Sequence, residues 1–222
     1  MVTSPLMSHP ICPQITIDNV SINEVSEFKF LGVTIDNKLK WKHHIDFIIS
    51  KISVLTGILF RVREYINEKC LRQIYLSLIY PHIQYCSAIW GGAYNIYIDN
   101  LLVSQKKLLR IMFFKSRYAH TKELFSTRKL LTVPDIIRVQ TSLFIHKSMH
   151  SLTTDQGFTL LSHNATRRPF HLRLPLCRTS HAKQSILSRG SQLWNTLPES
   201  LITDTNFTSF KCNLLKTVFE KD

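Results

Sequence analysis

Between Phe28 and Trp41 the hydrophobic period of this chain changes, and that change bounds what it can fold into. Apolar residues at Phe28 and Phe30, then Leu31, Val33 and Ile35, read as a β-strand, with Gly32 admitting a close backbone neighbour. Asp36-Asn37 breaks the strand. For most of the next hundred residues apolar side chains recur every three or four positions, the period of an α-helix. The expected fold class is therefore mainly α, an antiparallel helical bundle preceded by a small antiparallel β element.

Taken in order, residues 1–14 are irregular. Residues 15–41 form the β element, with Asp18-Asn19 as a turn dipeptide between two short runs. A helical unit spans 42–150. Its first helix, from about Lys42 to Tyr65, carries the stripe Ile45, Ile48, Ile49, Ile52, Leu55, Leu59 and Val62. Its second starts near Glu68, is kinked by Pro81, and keeps its period through Ile83, Cys86, Ile89 and Trp90 until Gly91-Gly92 stops it. Its third runs from about Tyr94 to Tyr118. Thr121 can cap a short helix, and Pro134 opens another that ends near His150. Residues 151–180 are a basic irregular linker, and 181–222 hold the C-terminal helices. Trp90 and Trp194 are the expected large core residues.

The charge is lopsided. Residues 101–200 carry twelve of the thirteen excess positive charges, and no acid lies between Asp99 and Glu123. That is the footprint of a polyanionic partner, an RNA or DNA backbone first of all. The third helix places Lys106, Lys107, Arg110 and Arg117 opposite its apolar stripe as a cationic ridge. Arg167 and Arg168 stand in a stretch where basic residues alternate with aromatics and prolines, a composition that can follow a phosphate backbone. The alternative is a solvated basic face, which ordinarily mixes signs.

The five cysteines form no CxxC pair. They suit reduced core thiols in an intracellular protein, in the cytoplasm or nucleus, and no apolar run suits a membrane span or a signal peptide. His146 and His150, four apart, could share a metal, but with no third ligand in the pattern they read as ordinary helix histidines.

The words Phe30-Leu-Gly-Val-Thr-Ile-Asp36, Leu39-Lys-Trp41, His44-Ile45, Tyr75-Leu-Ser-Leu-Ile-Tyr-Pro81, Tyr85, Trp90-Gly91 and Gln105-Lys-Lys-Leu-Leu-Arg110 occur in that order, followed by Asn164-Ala-Thr-Arg167 and Leu193-Trp-Asn-Thr-Leu-Pro198. Together they resemble the end of the palm and the thumb of reverse transcriptases from non-LTR, LINE-type, jockey-like retrotransposons. The resemblance covers residue 15 to the C-terminus. It implies that Phe30, Leu31 and Gly32 belong to a primer grip, and that the helices are a thumb closing on the template–primer.

The resemblance also implies that catalysis resides elsewhere. Such polymerases hold two divalent metal ions on palm aspartates, including an adjacent Asp-Asp pair, and this sequence has no Asp-Asp. The chain then reads as a C-terminal portion of an RNA-directed DNA polymerase, needing no cofactor of its own, with the missing palm as a possible partner. A co-opted, autonomous nucleic-acid-binding or interaction protein fits the same residues. An unrelated enzyme would have to use His43-His44, His146 and His150 or the cysteines, which form no recognisable nucleophile–base set in sequence.

Overall fold

The computed structural model describes residues 16–21, 23–150 and 171–220. The protein is mainly α, with a small antiparallel β element. Strands β1 (Thr16–Ile17) and β2 (Val20–Ser21) join through Asp18-Asn19, both at positive φ. Strands β3 (Glu27–Phe30) and β4 (Val33–Asp36) pair antiparallel with Phe30 opposite Val33. The one strand expected across Phe28 to Ile35 is thus a hairpin. Its two turn residues, Leu31 and Gly32, have φ of 45° and 82°, the signs a type I′ turn requires. Gly32 is there for that backbone conformation rather than for a close backbone neighbour: a Cβ at its position would meet only the Tyr85 ring, at an ordinary 3.7 Å.

Asp36 ties the β element to the helices. Its buried carboxylate accepts hydrogen bonds from the backbone N–H groups of Lys38, Lys40 and Trp41 at 3.0, 3.1 and 2.8 Å. The chain coils around one side chain, with Leu39 and Trp41 at positive φ, and delivers the start of α1 (Lys42–Val62). Helix α1 buries Ile45, Ile48, Ile52 and Leu59, as its apolar spacing dictates. A 3-10 turn, Arg63–Tyr65, follows.

Helix α2 (Glu68–Ile74) passes through a π-helical turn, Tyr75–Ile79, into α3 (Tyr80–Gln84). Pro81 has no N–H and its ring crowds the carbonyl one turn back. The π turn meets this by widening the ladder, the Tyr80 N–H reaching back five residues to the Tyr75 carbonyl. The break comes later than Pro81. Cys86 sits at φ 52°, and α4 (Ser87–Trp90) starts afresh, so Ile83 and Trp90 lie on different helices although both are fully buried.

Helix α5 (Asn95–Met112) lies alongside α1 and runs the same way. His44 in the first turn of α1 meets Trp90, just upstream of α5, edge-on at 6.0 Å. Arg63, just past the far end of α1, donates to the Ile111 carbonyl in the last turn of α5. Helix α5 stops at Met112, six residues short of the expected end. A Schellman turn closes it, Phe114 taking the left-handed position at φ 53° while the Lys115 N–H bonds the Arg110 carbonyl at 2.9 Å.

Helix α6 (Lys122–Thr127) follows, with Thr121 at its N-cap position but making no side-chain cap. Helix α7 (Val133–Met149) is the hub. Thr132 caps it through the Asp135 N–H. Its buried residues fall on every side, from Val133, Ile136 and Ile137 through Val139 to Leu143 and Ile145. It packs against α3, α4 and α5, and also against the C-terminal helices α9 (Ile186–Asn195) and α11 (Phe207–Glu220). Two shorter helices, α8 (Ser180–Gln184) and α10 (Glu199–Ile202), complete that end.

One core runs from Ile45 through Trp90 to Trp194 and Val218. Gln105 crosses its middle. Its amide donates to the Tyr75 hydroxyl at 2.7 Å and the Leu131 carbonyl at 2.9 Å, and accepts from the Val133 N–H at 3.0 Å. Arg189 of α9 donates to the Ala88 carbonyl at 2.7 Å, and burial pulls its guanidinium down to about 10. Within the segment read as linker, Leu172 is buried and held by reciprocal hydrogen bonds with the Asn195 side chain at 2.9 and 2.8 Å. The expected core thiols are core only in part: Cys86 is half-buried and packs against the core, Cys177 is half-buried, Cys70 and Cys212 are exposed, all four are free, and Cys12 lies outside the described residues.

Candidate nucleic-acid interface

The C-terminal ends of α1 and α5 meet, and the loop after α5 folds back over the junction. This leaves a groove of about 620 Å³. Phe60 and Arg63 form one wall, and Val103, Lys107, Arg110 and Ile111 of α5 the floor. Lys115 and Arg117 close it from the loop.

The loop is held in place by Arg110, whose Nε donates to the Ala119 carbonyl at 2.9 Å. Arg63 sits at the last turn of α5, where unpaired carbonyls and the helix dipole favour a cation. Its Nη1 donates to the Ile111 carbonyl at 2.6 Å, and its guanidinium carbon lies 4.7 Å from the Phe60 ring centroid and 4.4 Å from that of Phe114.

The electrostatics of the groove are one-signed. The ion pairs among the described residues join His43 to Glu27, Arg128 to Glu68 and Arg138 to Asp135. None of them uses Lys107, Arg110, Lys115 or Arg117. An adjoining hollow of about 420 Å³ shares Lys115, adds His120 and Arg128, and brings in one acid, Glu123.

The site residues expected from sequence are therefore partly gathered and partly dispersed. Lys107, Arg110 and Arg117 come together, but Arg117 arrives from the loop and not from a helical i+7 position, because α5 has already ended at Met112. Lys106 is half-buried and does not line the groove. Lys115, Arg63 and Phe60 were not singled out by the sequence. Lys115 had a signal in the acid-free run between Asp99 and Glu123, whereas Phe60 and Arg63 had none, because without the fold nothing placed the end of α1 beside that run.

Phe30, Leu31 and Gly32 form the exposed tip of the β3–β4 hairpin, where the Tyr85 hydroxyl donates to the Leu31 carbonyl at 2.7 Å. The hairpin packs on α1, and the Thr34 N–H donates to Nδ1 of His44 near the helix start. The groove is at the other end of that 21-residue helix, so the two sets of residues stand apart by on the order of 30 Å. Arg167 and Arg168 lie outside the described residues.

His146 and His150 have ring centroids 4.5 Å apart, but the Nε2 of His146 bonds the Asp204 carbonyl at 2.7 Å and its ring stacks on Phe210. Among the described residues no three of His, Cys, Asp or Glu gather as metal ligands. Nor is any helix of the described residues long and apolar enough to cross a membrane.

Comparison with known proteins finds partial similarity to polymerases of mobile elements. The chain is similar to the RNA-directed DNA polymerase from mobile element jockey of Drosophila funebris, 25% identical over 134 residues, which are 57% of this chain and 14% of the relative. The jockey polymerase of Drosophila melanogaster is 26% identical over 117 residues, 51% of this chain and 13% of the relative. The probable RNA-directed DNA polymerase from transposon X-element of the same species is 24% identical over 135 residues, 60% and 15% respectively. These partial similarities support a relationship to retrotransposon reverse transcriptases. Its matched stretch spans about one-seventh of the length of those relatives. No protein-family profile matches the chain. No solved structure matches it either.

Proposed function

We propose that this chain is a nucleic-acid-holding, thumb-like part of a retrotransposon RNA-directed DNA polymerase, and that the groove between α1, α5 and the following loop binds the backbone of an RNA or DNA template–primer. The observation that carries this reading is the convergence of Lys107, Arg110, Lys115 and Arg117 on one groove, none of them ion-paired to a carboxylate among the described residues. Such side chains neutralise phosphates without reading base edges, so binding is to be weakly dependent on sequence. The similarity to mobile-element polymerases supplies the biological frame. In this reading no catalysis is assigned to the chain, in keeping with the absence of an Asp-Asp pair from its sequence, and the metal-bearing palm is a separate part.

The test is fluorescence anisotropy with a primed RNA template. The substitutions Lys107→Glu, Lys115→Glu and Arg117→Glu change exposed residues outside the core. Together they should weaken binding at least tenfold, alike for unrelated sequences, while the melting temperature holds. Unchanged affinity would show the groove to be a solvated surface. Clear primer extension by the chain alone would refute the assignment of catalysis elsewhere.

The continuity of the core from α1 to α11 favours a second reading, an autonomous nucleic-acid-binding protein built from the same residues. A cooperative melt of the isolated chain supports that version, and dye binding without a melt argues against it.

A further inference from the structure

Phe114 is in the wrong place for an ordinary phenylalanine. It occupies the left-handed position that ends α5, at φ 53°, where glycine is the residue at home and a Cβ is strained. Core burial does not compensate, since the residue is 56% exposed. Phe60, also 56% exposed, stands against the same Arg63 guanidinium, so one cation touches two rings that both keep about half their surface open to solvent. Phe60 and Arg63 line the groove together with the cations Lys107, Lys115 and Arg117, and Phe114 flanks it through its contact with Arg63.

Resting on the nucleic-acid reading above, we infer that, of a template–primer, this groove takes the unpaired strand in preference to the duplex. Phosphates of the strand lie against Lys107, Lys115 and Arg117, and bases stack on the open surfaces of Phe60 and Phe114. In a duplex the base faces are covered by their neighbours, and phenyl rings at the groove gain nothing from it. An unpaired strand offers a π-face at every base and a charge at every phosphate, which is the combination that aromatic-and-basic grooves recognise without regard to sequence. The strand can be RNA or DNA, because stacking and phosphate contact are common to both.

The decisive variant is Phe114→Gly. Glycine accepts positive φ without strain, so the fold should keep or raise its melting temperature. Anisotropy is measured with labelled oligo-dT, oligo-rU and a base-paired duplex of equal length. The wild-type chain should bind both single strands more tightly than the duplex. Phe114→Gly should weaken both single strands roughly 5- to 10-fold and leave the duplex within twofold, as loss of one stacking surface implies. Phe60→Ala should behave likewise, whereas Lys107→Glu should weaken all three ligands together. Equal or tighter binding of the duplex by the wild type, or single-strand binding untouched by both phenylalanine variants, overturns the inference while leaving backbone binding intact. Failure of the chain to bind any of the three overturns both readings.

Discussion

Arg110 on α5 and Ala119 on the loop beyond it are joined by one hydrogen bond, 2.9 Å from guanidinium Nε to carbonyl oxygen, and this bond sets where Lys115 and Arg117 stand. A cation of the groove is therefore also its brace. Arg110→Lys keeps the charge but lacks the rigid fork that reaches the loop. It should cost about 1 kcal/mol in a denaturant melt and speed amide hydrogen exchange over residues 115–119. Unaltered protection there would show that other contacts hold the loop.

The Asp36 carboxylate organises the passage from hairpin to helix through three backbone N–H groups. Asp36→Ala strands those donors and should destabilise by about 2–3 kcal/mol, within the range for hydrogen bonds to charged groups. Asp36→Asn keeps one acceptor oxygen and should cost less. Equal losses for the two variants in chemical denaturation would mean that the charge and not the geometry matters.

Much of this fold was legible because the apolar stripes of α1 and α5 repeat with a helical period, and burial at Ile45, Ile52, Leu101 and Leu108 follows them directly. What was hidden has a common cause. Leu31, Cys86 and Phe114 all adopt positive φ, at 45°, 52° and 53°, and none is a residue type that signals it. So a hairpin read as a strand, a broken helix read as continuous, and α5 read as longer than it is. The groove inherited that last error: Arg117 was assigned to the right surface by charge and to the wrong element by period. The hub role of α7 was also hidden, because burial on every side leaves no stripe, only a run of apolar and small residues.

Trp90 is fully buried, and its indole N–H donates to the Tyr85 carbonyl at 2.8 Å, closing the bend at Cys86. Trp90→Ala should destabilise by about 3–5 kcal/mol, from lost burial and the cavity left behind. Equilibrium denaturation checks this, and a loss under 1 kcal/mol would mean that the surrounding helices collapse into the space.

Acid should loosen the hairpin end of the molecule. Burial lowers the pKa of His44 from its ordinary 6.5, and its Nδ1 is the acceptor for the Thr34 N–H, a role that protonation abolishes. Burial, then the neighbouring His146, lowers His150 as well, against an opposing pull from Asp204. A histidine depressed in the folded state binds its proton first in the unfolded chain. Stability is therefore intact above about pH 6.5 and falls as pH drops below it, until the folded histidines protonate too. Melting temperatures should decline from pH 7.5 to pH 5, and His44→Gln should shrink the decline. A flat or rising profile on acidification would contradict this assignment.

The groove can be tested at the level of contact. An oligonucleotide carrying a photoreactive uracil, bound to the full chain and irradiated, leaves a covalent mark that mass spectrometry places on a peptide. Adducts should concentrate on the peptides that contain Phe60 and residues 111–117. They should disappear when a charge-reversed Lys107, Lys115 and Arg117 variant is irradiated under the same conditions. Adducts found instead on the Phe30-Leu31-Gly32 hairpin tip or on residues 163–175, with the α1–α5 groove unmarked, would contradict the assignment of that groove as the nucleic-acid interface.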